Sequence, residues 1–178
     1  MKKITIVLFI ALLVSFTSCD KIDKLTQFEI DYTSSFKIPS NLGINLPFNF
    51  PTPDIETNIS EELENNQSNK ELIEQIFLKK FLLTIESPDN QTFRFLKDID
   101  VFLVADGLPK VKIAFKHNIK NSIGQELDLD VIEQDLQEYM KKDKYSIDVS
   151  TTTDETILQE VKIRTDLKFW VDAKILGI

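Results

Sequence analysis

The stretch that decides the fold is VKIRTDLKFWVDAKI, residues 161–175. Val161, Ile163, Thr165, Leu167, Phe169, Val171, Ala173 and Ile175 hold the odd positions, and Lys162, Arg164, Asp166, Lys168, Asp172 and Lys174 hold the even ones. Side chains on a strand alternate between faces, so a two-residue period marks a strand with one buried side. Only Trp170 breaks the charged face. The stretch predicts one long strand, or one bent near Asp166.

Working outward, the same period returns in Phe28, Ile30 and Tyr32, in Val111, Ile113 and Phe115, and in Tyr145, Ile147 and Val149. Ile99 to Ala105 is apolar on both faces around Phe102 and Val104, which predicts a central strand. Asp106-Gly107-Leu108-Pro109 then turns the chain, making residues 99–118 a hairpin. The stretch from Leu72 to Ile85 carries both helical and strand spacing, and a strand is expected over 76–86. One connecting helix is expected near 131–141, capped by Asp130 and Glu133, with Ile132, Leu136, Tyr139 and Met140 on one stripe. These elements predict a mainly β fold, an antiparallel β-sandwich or partly open barrel of about seven or eight strands.

Composition removes several functions. The four glycines of this 178-residue chain are scattered, so no phosphate-cradling loop can form. One His and one Cys cannot build a zinc site of His and Cys ligands. A hydrolase triad would have to use His117, which no motif supplies with an orienting acid or a nucleophile; a packed or hydrogen-bonded strand-end histidine is the expectation. Asp98, Asp100 and Asp106 surround one strand, and Glu126, Asp128 and Asp130 alternate in another stretch. Calcium loops carry a glycine between ligands where Leu127 and Leu129 stand here, so a solvated face is favoured. No catalytic residue, metal or cofactor is expected.

At the N-terminus, Lys2 and Lys3 precede an apolar run from Ile4 to Val14, too short to span a bilayer as a helix. Ser15, Phe16, Thr17 and Ser18 then lead to Cys19, the chain's only cysteine. This arrangement resembles the lipobox of bacterial lipoproteins, with Phe16 in place of the usual aliphatic residue. The resemblance covers residues 1–19 alone. It implies a signal peptide over 1–18, cleavage before Cys19, diacylation of its thiol, and acylation of the new amine by palmitate-like chains. It also implies a bacterial envelope location, with the outer membrane favoured, on its periplasmic face or at the cell surface. Residues 19–26 would be the lipidated cysteine and tether, and 27–178 a single β-rich domain.

Without Lys2 and Lys3 the 21 basic side chains become 19 against 29 acidic, a net charge of −10. That balance excludes a nucleic-acid surface and sets the domain away from anionic headgroups. Four of the six prolines, Pro39, Pro47, Pro51 and Pro53, fall together, and between them Leu42, Ile44, Leu46, Phe48 and Phe50 alternate with polar residues or proline. Prolines remove ladder donors, so this segment reads as an edge strand or extended flap. Its apolar side either completes the core, the favoured outcome, or forms a possible binding ridge for a partner or lipid-like ligand. Trp170 is expected to pack under a loop or the 131–141 helix. The functional expectation is a non-enzymatic, lipid-anchored binding or assembly module whose partner is an envelope protein. The alternative is a carrier holding a hydrophobic molecule in the sandwich, where the 13 phenylalanines would line a cavity, or under the flap.

Overall fold

The computed structural model describes residues 26–40, 48–51, 59–142 and 145–174, with side chains from Phe48 to Pro51 and at Ile59 left aside. Nine strands lie among them: β1 (Gln27–Ile38), β2 (Phe48–Pro51), β3 (Ile73–Ser87), β4 (Leu96–Ala105), β5 (Val111–Lys116), β6 (Glu126–Asp128), β7 (Asp130–Val131), β8 (Tyr145–Thr153) and β9 (Val161–Ala173). Two antiparallel sheets result, ordered β1-β9-β3-β6 and β2-β8-β4-β5-β7. The fold is the expected β-sandwich. The alternation of Glu126, Asp128 and Asp130 is divided between two very short strands, β6 of three residues and β7 of two.

The stretch that opened the reading runs as one continuous strand from Val161 to Ala173, with every odd position buried and every even one half-buried. Ile175 lies outside the described residues. β9 sits between β1 and β3, so its inner face is the floor of the core. β8 and β4 supply the opposite wall through Tyr145, Ile147, Val149, Ile99, Val101 and Leu103. β4 is central, as its apolar character predicts, and outward-facing Phe102 is covered by the ammonium groups of Lys110 and Lys112, 4.1 and 5.5 Å from its ring centre. The expected hairpin joins β4 to β5, and Gly107 takes the positive φ (76°) its turn requires.

Two expectations need correction. The helix over 131–141 shrinks to one turn, α2 (Gln137–Met140). Asp130 and Val131 are strand, and the backbone from 129 to 136 bonds to neighbouring strands: Leu129 N–H to Phe81 O (3.0 Å), Ile132 N–H to Ile113 O (2.9 Å) and Leu136 N–H to Ile76 O (2.9 Å). These bonds close one side of the sandwich, since β6 belongs to the first sheet and β7 to the second. Asp135, rather than Asp130, serves the turn by accepting from Gln137 N–H (3.0 Å), and it also accepts from Ile76 N–H (3.1 Å). Leu136, Tyr139 and Met140 are nonetheless buried. A second short helix, α1 (Ile59–Asn65), was not expected; it buries Leu63 completely.

The second correction concerns Trp170. It faces outward and stacks on Phe77, its cross-strand neighbour on β3, with ring centres 5.7 Å apart. The turn α2 packs on β3 and β4 instead.

Candidate functional site

Cys19, Leu42, Ile44 and Leu46 lie outside the described residues. Phe48 and Phe50 lie in β2, an edge strand paired antiparallel with β8. The register sets Phe48 opposite Thr151 and Phe50 opposite Val149, both inward positions that are 6% and 5% exposed. Residues directly opposite in a ladder share a face. The backbone thus places positions 48 and 50 on the same face of the ladder as Thr151 and Val149.

Between the sheets, the gap lined by Phe36, Phe93, Phe95, Ile99, Val149 and Thr151 among others measures only about 10 Å³. A drug-sized ligand needs roughly 300 Å³ or more. A surface cleft of about 360 Å³ lies beside α1, lined by Ser60, Glu64, Asn69, Lys70, Glu71 and Leu72.

If β2 completes the core, Phe48→Ser combined with Phe50→Ser removes about 1.5–3 kcal/mol of burial per ring. Calorimetry should then show a fall of about 10 °C or more in Tm. A melt unchanged within about a degree would instead make the segment a binding ridge.

His117 follows β5 at once. Its Nε2 lies 3.0 Å from Asp100 Oδ1, and its ring stacks against Phe115. The same carboxylate receives Lys112 at 2.8 Å. Partial burial works to raise the Asp100 pKa, but the hydrogen bonds and charges of Lys112 and His117 outweigh it and hold the group below its ordinary value. Asp98 accepts the backbone N–H of Asn118 (2.9 Å), which sits at φ 53°, and so fixes the loop after β5.

A carboxylate whose pKa falls on folding stabilises the protein above its unfolded pKa, and that contribution is lost as pH falls through the folded value. Asp100→Asn should therefore cost up to about 1 kcal/mol at neutral pH. The gap between variant and wild type should close in acid, below the depressed pKa of Asp100. Urea melts at neutral and acid pH check this, and a gap that widens in acid would contradict it.

The carboxylates that alternate in sequence part company in space. Glu126 and Asp128 stand on β6 in one sheet, and Asp130 stands on β7 in the other, where it pairs with Lys116 at 3.0 Å. Among the described residues, no three His, Cys, Asp or Glu side chains come together in a metal-holding group. The outer face of the first sheet is laced with ion pairs. Lys168 bridges Glu29 (2.8 Å) and Asp31 (3.1 Å), whose hydrogen bonds push its pKa up, while Asp166 receives Thr33 and Arg164.

Sequence reasoning missed the covering of Phe102 by two lysines and the place of β1 at a sheet edge, with β9 its one strand neighbour among the described residues. Alternation reveals a strand, but not its place in a sheet.

No family model matches this chain, and no curated protein matches it. Among solved structures it is similar to one described as the crystal structure of decameric BFDV capsid protein. The two share 12% identity at a TM-score of 0.38, over 83% of this chain and 99% of that one.

Proposed function

We propose that this chain is a lipid-anchored protein of a bacterial envelope, held at the outer membrane through acylated Cys19, and that its β-sandwich serves as a non-enzymatic binding or assembly module. The observation that carries the reading is the position of the sole thiol, directly behind a short apolar run and small residues. The filled gap between the sheets supports a module that works through its surface rather than its interior. An apolar guest would have to enter a core that already holds Phe93, Phe95, Leu103 and Ile113 at no more than 2% exposure.

Native mass spectrometry of the protein, released from its own membranes in mild detergent, tests the binding role. A protein partner other than a second copy of the chain is the expected companion. A retained hydrophobic small molecule with no such partner would overturn the module reading in favour of a carrier, with Leu42 to Phe50 as its first candidate site.

A further inference from the structure

β1 is the longest element at a sheet edge. It pairs with β9 from Gln27↔Asp172 to Ile38↔Val161 without a single register shift, whereas β3, β4 and β5 all carry bulges. Among the described residues β9 is its only strand partner. Alternate residues of such a strand point their N–H and C=O groups away from the sheet, ready to pair. Natural edges are commonly blunted by proline, a bulge or brevity. Gln27–Ile38 has none of these, and its protection among the described residues is the charge of Glu29, Asp31 and Lys37 and a contact with α1. Phe28, Tyr32 and Phe36 on its inner face are only partly buried, which leaves apolar surface beside that edge.

We propose that β1 pairs antiparallel with β1 of a second copy, joining two four-stranded sheets into one of eight across a two-fold axis. The sequence of β1 is complementary to itself in one register. With Ser34 on the axis, Asp31 meets Lys37 twice and Thr33 meets Ser35 on the outer face; Tyr32 meets Phe36 and Ile30 meets Ile38 on the inner face. Charge also favours this occupant. Glu29 and Asp31 share the one ammonium of Lys168, leaving a carboxylate in excess for the second copy's lysine. Among the described residues Lys37 pairs with Glu160, through a side chain that is 61% exposed, and a pair so solvated gives way easily.

The test uses the full-length chain in mild detergent, followed by sedimentation. A monomer–dimer equilibrium is expected, with a dissociation constant of about micromolar order for so narrow an interface. Lys37→Glu sets like charges opposite one another twice and should weaken the dimer about tenfold. Adding Asp31→Lys to it should restore the dimer. In a Cys19→Ser background, Ser34→Cys should form a disulfide-linked dimer under mild oxidation, since residues directly opposite lie about 4.5–5.5 Å apart at Cα. Ser35→Cys, off the axis, should link far more slowly.

A monomer at every concentration would overturn the proposal. So would a dimer indifferent to the charge reversal and unlinked at Ser34. The cross-link needs no acylation, so its failure would leave the anchor reading standing.

Discussion

Leu167→Asp should abolish cooperative folding. Leu167 is 4% exposed and lies in register between Tyr32 on β1 and Phe81 on β3. Substitution removes about 2–3 kcal/mol of apolar burial and adds the desolvation of a carboxylate with no partner. Together these reach the lower end of the roughly 5–15 kcal/mol that holds a domain folded. Lys168, one residue on, presents its amine to Glu29 and Asp31 on the outer face. Lys168→Ala should therefore leave the unfolding midpoint almost unchanged, because surface ion pairs are screened. Urea unfolding followed by circular dichroism measures both. Comparable losses in the two variants would contradict the half-buried strand, whose two-residue period is what makes neighbours unequal.

That strand was legible because nothing interrupts its period. β3 shows what interruption does. Its buried residues fall at Ile73, Ile76, Leu78, Phe81, Leu83 and Ile85, so two steps of three sit among steps of two. Each three-residue step coincides with a register shift against β9, between Ile73 and Gln75 and between Leu78 and Lys80. A bulge inserts one residue and restores the inward face one position late, which copies the spacing of a helix. Behind the mixed signal from Leu72 to Ile85 is a bulged strand that begins at Ile73.

A similar slip hides in β5. Val111, Ile113 and Phe115 look like one face, yet Val111 stands opposite buried Leu103 and Phe115 opposite Asp100, whose carboxylate faces outward to Lys112. The shift between Val101 and Phe102 leaves Ile113 as the extra residue, and Ile113 and Ala114 are both buried. Local spacing cannot show which strand will lie alongside, and the partner decides where a bulge fits. The helix expected from Asp130 failed for a related reason. Its backbone groups found better partners on β3 and β5, because the sandwich needed closing there.

The candidate site was legible in a different way. Cys19 stands out by chemistry alone, as the only thiol in the chain, directly behind a short apolar run and small residues. Phe48 and Phe50 stood out through prolines that confine them to an edge, and β2 is the edge beside β8. Their register against Thr151 and Val149 is something no local pattern reveals. His117 was legible as a strand-end residue, but its carboxylate partner sits seventeen positions earlier, across the β4–β5 hairpin.

The anchor carries the account's central claim, and its removal should have an all-or-none effect. Each buried acyl methylene contributes about 0.8 kcal/mol, so two or three chains hold a protein at a bilayer essentially permanently. A serine hydroxyl at position 19 offers no thiol for the lipid to join, so Cys19→Ser should leave the chain without an anchor. The decisive measurement is fatty-acid labelling with membrane fractionation of wild type and Cys19→Ser, expressed in the same bacterium. The account predicts a labelled wild type that sediments with membranes, and an unlabelled variant released to the soluble fraction. A variant that still sediments and resists carbonate extraction would contradict it.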